Sequence, residues 1–123
     1  MLILLFEDEP VIAQLLCEVV EESGHHALCA TNAAEALQLC QRFQPAFALL
    51  NFRTGAGPDG TTLAREIRKR FRTRILFVTG ARLQDISDIF TCESDYPVLF
   101  KPFTRQQFRR VFATMMTGSR DAG

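Results

Sequence analysis

Short, almost wholly apolar runs recur along the chain at residues 2–6, 46–50, 75–78 and 98–100, with a weaker one at 27–30. Runs of this length without polar alternation predict strands buried on both faces, as in a parallel sheet. The gaps between them carry helical periodicity. After Pro10, suited to a first helical position, Val11, Ile12, Leu15, Leu16, Val19 and Val20 form an apolar stripe that Gly24 ends. Asn32 with Glu35 reads as a capping box opening a second helix, with Leu37, Cys40 and Phe43 turned inward. A third opens at Asp59-Gly60, with Leu63, Ile67 and Phe71 on one side and Arg65, Arg68 and Lys69 mostly outside. Residues 83–90 predict a short fourth helix. Thr104 with Gln107 is a second capping box, and Phe103 with Phe108 its hydrophobic staple. Phe108, Val111, Phe112 and Met115 then line the inner side of the last helix.

The order is βαβαβαβαβα, which predicts an α/β fold: a doubly wound parallel sheet with helices on both faces. Residues 1–117 form one domain in this reading, and 118–123 a short frayed tail. The length of 123 residues and the 47% hydrophobic content suit one self-sufficient core. Fourteen basic residues offset fourteen acidic ones, so no net field draws the chain to nucleic acid or to an anionic membrane. The basic cluster Arg65, Arg68, Lys69, Arg70, Arg72 and Arg74 reads as a solvated helix face, and no nucleic-acid binding by this domain is expected. The apolar start is halted by Glu7-Asp8-Glu9, too early for a signal-peptide core, and no run approaches the roughly 20 residues of a membrane span. A cytoplasmic location is therefore expected. Cys17, Cys29, Cys40 and Cys92 lack CxxC spacing and read as free thiols, and His25-His26 near Cys29 fits no usual zinc pattern.

In a sheet of this kind, ligands bind beyond the carboxyl ends of the strands, at the point where strand order reverses. The residues just past each strand are therefore the candidates for chemistry. The first strand runs into Glu7-Asp8-Glu9, and adjacent carboxylates can hold a hard divalent cation. The third ends at Asn51-Phe52-Arg53 and a glycine-rich loop, the fourth at Thr79-Gly80, and the fifth at Lys101-Pro102. A hydroxyl and an ammonium together can bind phosphoryl oxygens. Singly, each is an ordinary turn or surface residue. No GxGxxG or Walker-type loop comes after the first strand, which disfavours a nucleotide-binding enzyme on a related fold.

In this order the set resembles the receiver domain of two-component response regulators, over Leu2 to about Met115. The segments that carry the likeness are Leu4-Leu5-Phe6-Glu7-Asp8-Glu9-Pro10, Leu49-Leu50-Asn51, Thr79 and Lys101-Pro102-Phe103. Phe77-Val78-Thr79-Gly80-Ala81 is similar to a sub-group with a Phe-Ala-Thr-Gly-Tyr stretch on strand four, as is Pro97-Val98-Leu99-Phe100-Lys101-Pro102. The resemblance implies a flavodoxin-like five-stranded sheet of order 2-1-3-4-5. It implies magnesium held by Glu7, Asp8 and the backbone carbonyl of Arg53, and phosphoryl contacts from Thr79 and Lys101. It also implies a cis peptide at Lys101–Pro102, aiming the lysine toward Asn51. The family's chemistry is phosphate transfer from a histidine kinase to a central aspartate, and its common docking face is the fourth helix, fifth strand and last helix.

Two residues depart from that pattern. Asn51 stands at the acceptor position, and a carboxamide has no anionic oxygen to attack phosphorus. Val98 occupies the place, three residues before the lysine, where many receivers carry a switching aromatic; Tyr96 and Phe100 only flank it. The expected function is thus a signalling module, not an enzyme, that cannot be phosphorylated at the usual site and works by docking. Its partners would be a histidine kinase, an output domain or protein, or weakly a second copy, and its magnesium site would be weak or absent. The alternative is an ordinary phospho-accepting receiver in which an aspartate has been replaced by Asn51. The sequence leaves both open.

Overall fold

Each of the five apolar runs forms a strand of one parallel sheet. The computed structural model describes residues 1–51, 60–79, 95 and 98–117, with strands β1 (Leu2–Phe6), β2 (His26–Ala30), β3 (Phe47–Asn51), β4 (Arg74–Thr79) and β5 (Leu99–Phe100). The described helices are α1 (Pro10–Glu22), α2 (Ala33–Phe43), α3 (Gly60–Arg70) and α4 (Arg105–Met116). The strand order is β2-β1-β3-β4-β5, with every pairing parallel. The expected helix at 83–90, Cys92, Tyr96 and the tail at 118–123 lie outside the described residues.

Burial reflects the sheet's two-sidedness. Ile3, Leu5, Leu49 and Leu76 face α1 and α4, where Leu16, Val19, Val20, Phe108, Phe112 and Met115 close the layer. Leu4, Phe6, Ala48, Leu50, Ile75 and Phe77 face α2 and α3, meeting Ala33, Ala36, Cys40, Leu63, Ala64 and Ile67. No residue of β3 is exposed, which is why its sequence lacks alternation.

The helix ends are built by local chemistry. Pro10 is the first residue of α1, and the helix closes through a Schellman-type turn. There Gly24, at φ 87°, donates to the Glu21 carbonyl while His25 donates to that of Val20. At α2, the Glu35 amide donates to Asn32 Oδ1 at 2.8 Å, but the Glu35 carboxylate reaches the Thr31 amide rather than closing the box on Asn32. At α4 the box is complete: the Gln107 amide donates to Thr104 Oγ1 (3.0 Å) and the Thr104 amide to Gln107 Oε1 (2.7 Å). Phe103 and Phe108 pack across it with ring centroids 6.2 Å apart.

Three side chains depart from the expected faces. Val11 is 78% exposed; at 3.6 residues per turn, five positions put it about 140° around α1 from buried Leu16. Phe43, the last residue of α2 before left-handed Gln44 (φ 46°), is exposed, with the Arg42 guanidinium over its ring. Arg68, expected outside, is half-buried because its guanidinium donates to Asp95 Oδ2 at 2.6 Å, and that oxygen also accepts from the Ile75 amide. Arg65 and Lys69 are exposed as expected.

The capping box of α4 makes a stability prediction. Thr104→Ala removes the acceptor for one amide and should lower unfolding stability by about 1 kcal/mol. Urea denaturation would show it as a lower midpoint at unchanged slope.

Candidate functional site

The topology creates one crevice before any side chain is considered. From β1 the chain crosses to β2 on one side, and from β3 to β4 on the other, so the carboxyl ends of β1 and β3 lie side by side at a switch point. Register places Phe6 opposite Leu50, so Glu7 and Asp8 leave β1 as Asn51 ends β3. Asn51 in turn pairs with Val78, and Thr79 with Phe100. The expected site residues therefore emerge at the same end of neighbouring strands.

Two contacts organise this end. Asn51, 5% exposed, donates from Nδ2 to Asp8 Oδ1 at 2.7 Å, bridging the switch point directly. Lys101, leaving the edge strand β5, reaches back to β1. Its ammonium lies 3.0 Å from Glu7 Oε1, 3.1 Å from Glu7 Oε2 and 3.1 Å from Glu9 Oε1. The Lys101–Pro102 peptide is cis, as the resemblance implies. At this end of the sheet the ammonium pairs with two carboxylates. Sequence pattern alone assigns Glu9 no role; it precedes α1 in extended conformation without capping it, which leaves its carboxylate for the lysine.

Glu7 is the electrostatic centre. Its side chain is 1% exposed, and burial pushes its carboxyl above the usual glutamate value. The Glu9 amide, donating to Oε2 at 3.0 Å, and the Lys101 ammonium pull it back down, while neighbouring Asp8 pushes it up. Glu7 Oε1 is buried without a hydrogen bond, its nearest charged partner being the Lys101 ammonium.

These donors fit a hard divalent cation in kind. Asp8, the carboxamide oxygen of Asn51 and the Glu7 carboxylate are the kinds of oxygen ligand such ions take, usually alongside several waters. The charge is modest, because Lys101 already offsets Glu7 and Asn51 is neutral. Among the described residues, no three His, Cys, Asp or Glu side chains converge as a metal cluster. Arg53 lies outside the described residues, and so does the side chain of Thr79, although its backbone ends β4 at this same end of the sheet. Val98 is half-buried and packs against the α2–α3 layer, while Phe100 is exposed.

Beside the acidic end lies a cleft of about 310 Å³, lined by Glu7, Asp8, Pro10, Ala13, Cys29 and neighbours. No described helix is long and apolar enough to cross a membrane.

Comparison with known proteins agrees with this geometry. AruR, a transcriptional regulatory protein of Pseudomonas aeruginosa, is 41% identical over 83 residues, covering 63% of this chain and 34% of that protein. The chain therefore spans about a third of that relative's length. A CheY-like receiver domain protein from Methanospirillum hungatei superposes with a TM-score of 0.82 over 99% of this chain and 98% of its own, at 20% identity. The N-terminal domain of a response regulator/sensory box/GGDEF protein from Carboxydothermus hydrogenoformans gives 0.82 over 95% and 94%, at 19% identity. At such identities these two structures speak for the fold. The family model for the response regulator receiver domain matches residues 3–113, and the chain belongs to that family.

Proposed function

We propose that this domain is a receiver that signals by docking and is not phosphorylated at its central position. The observation that carries the reading is the Asn51 side chain, buried at the switch point with its amide donating to Asp8. A carboxylate there would face Asp8 as a like charge until a cation separated them. The carboxamide turns that repulsion into a hydrogen bond and removes the nucleophile. The domain itself performs no catalysis in this reading. Its partners are a histidine kinase or an output domain or protein, as in the family at large, and a second copy only weakly.

The second reading, a phospho-accepting receiver in which Asn51 replaces an aspartate, is favoured by what persists around it: Asp8, Glu7 and Lys101 still converge on the crevice. The natural gene sequence at codon 51 separates the two. The residues around position 51 are the same in either reading. Asp8, Asn51 and Glu7 would hold magnesium, which when bound supplies charge neutralisation for phosphoryl oxygens. Lys101 holds Glu7 and Glu9 in place and presents positive charge at the crevice mouth.

Three outcomes are expected. Incubated with acetyl phosphate and magnesium, the Asn51 form stays unlabelled, while Asn51→Asp gains one acid-stable, base-labile phosphate, because the two side chains are nearly isosteric and positioning is most of what the transfer needs. Labelling of the Asn51 form would move the acceptor elsewhere. An Asn51→Asp form that binds magnesium yet resists every donor would mark a domain degenerate beyond one residue. Titration calorimetry should find magnesium bound with a dissociation constant on the order of 1 mM or weaker, given so few uncompensated charges; a micromolar value abolished by Asp8→Ala contradicts this. Finally, sedimentation should show at most modest, concentration-dependent dimerisation, since Val98 cannot couple the site to the surface around β5 as an aromatic does. A tight dimer disrupted by Phe100→Ala would refute weak association.

A further inference from the structure

We propose that Cys17 and Cys29 form a reversible disulfide tying α1 to the edge strand β2, an oxidation site separate from the Asn51 position. Register sets Cys29 beside Leu5, whose side chain belongs to the layer that α1 covers. Cys17 packs against that same layer, one helical turn beyond Ala13, and Ala13 lines the acidic cleft together with Cys29. Both side chains thus lie on the α1 face of the sheet, where α1 packs against β2, close enough for Cys17 to bear on the charge of Cys29. Cys29 is exposed and Cys17 half-buried, so an oxidant reaches the first and the second is poised to resolve it.

The chemistry balances with a peroxide as oxidant. The Cys29 thiolate attacks one peroxide oxygen, giving a sulfenic acid and releasing water. The Cys17 thiolate then attacks that sulfur, forming the S–S bond and expelling hydroxide, which takes up a proton. Two thiols and one hydrogen peroxide become one disulfide and two waters. Partial burial of its sulfur, and then Cys17 itself, push the Cys29 thiol above its ordinary value, which makes it a slow nucleophile. Cys40 is a contrast: it lies on the other side of the sheet, wholly buried, with its thiol pushed up to about 11. Since Cys29 walls the cleft beside Glu7 and Asp8, drawing its sulfur toward Cys17 reshapes that wall.

The test uses the wild-type chain. It is reduced, treated with hydrogen peroxide, denatured with an alkylating agent, and cleaved after glutamate. Cuts after Glu18, Glu21 and Glu22 separate Cys17 from Cys29, and a cut after Glu35 separates both from Cys40. Mass spectrometry should find the Cys17 and Cys29 peptides joined by a link that reductant removes. A thiol assay should show two free thiols lost per chain, a loss absent from Cys17→Ala and Cys29→Ala. The proposal is overturned if the two peptides stay separate, if either is joined instead to Cys40 or Cys92, or if Cys29 is linked to Cys29 of a second chain.

Discussion

Strands β1 and β3 are sealed between two helical layers, and from Ile3 to Phe6 and from Ala48 to Leu50 no side chain is more than 2% exposed. Such strands have no solvent face on which a polar residue could rest, and slipping their register by one position would exchange the contents of the two layers. Polar groups are therefore confined to where the strands end. Because β1 and β3 are neighbours whose crossovers leave in opposite directions, their carboxyl ends open onto one crevice. The meeting of Asn51 with Asp8 and of Lys101 with Glu7 depends on that enforced proximity.

Within the crevice, burial and charge oppose each other. Glu7 is almost wholly out of water, a position that costs several kcal/mol for an isolated carboxylate. The Lys101 ammonium and the Glu9 amide offset that cost, and both come from segments positioned by other elements: the start of α1 and the far edge of the sheet. Asn51 settles the adjoining charge differently. A hydrogen bond to a carboxylate contributes roughly 1.5–3 kcal/mol, so the amide relieves Asp8 without a metal ion. The same carboxamide that cannot accept a phosphoryl group thus gives this end of the sheet an internal balance. In the proposed reading, a receiver that keeps its lysine and its acidic pair but not its nucleophile retains the fold of its family and signals without the covalent step.

The two helical layers are unequal in a way that bears on reactivity. On the α2–α3 side, Ala33, Ala36, Ala48 and Ala64 let helix and strand approach closely, and Cys40 is sealed there. On the α1–α4 side, Phe108, Phe112 and Met115 fill the centre, while in the edge strand β2 only Ala30 is buried. Glu18 and Glu22 of α1 pair with Arg105 and Arg109 of α4, but such exposed pairs contribute little. Thiol exposure follows position, with Cys29 on the edge strand open to solvent and Cys40, packed between α2 and the sheet, closed to it.

Much of this was legible in the chain itself. Apolar runs without alternation announced β1 and β3, Pro10 and Gly24 bracketed α1, and Thr104 with Gln107 and the two flanking phenylalanines set the start of α4. These signals are local: they act through backbone dihedrals and through periodicity within a few residues, so sequence order carries them whole. The residues past each strand end stand out from the apolar pattern itself, while the strand order and the roles of those residues rest on the resemblance. Only the tertiary structure decided which groups meet. Asn51 and Asp8 are 43 positions apart, and Lys101 and Glu7 are 94 apart; their contacts depend on register and strand order, to which no local pattern points. The same holds for Arg68, drawn inward by Asp95, and for Cys17 and Cys29, which the register and the packing of α1 place on one face of the sheet. Periodicity says that a side chain faces a core, but which partner waits there is determined by the packing of the whole.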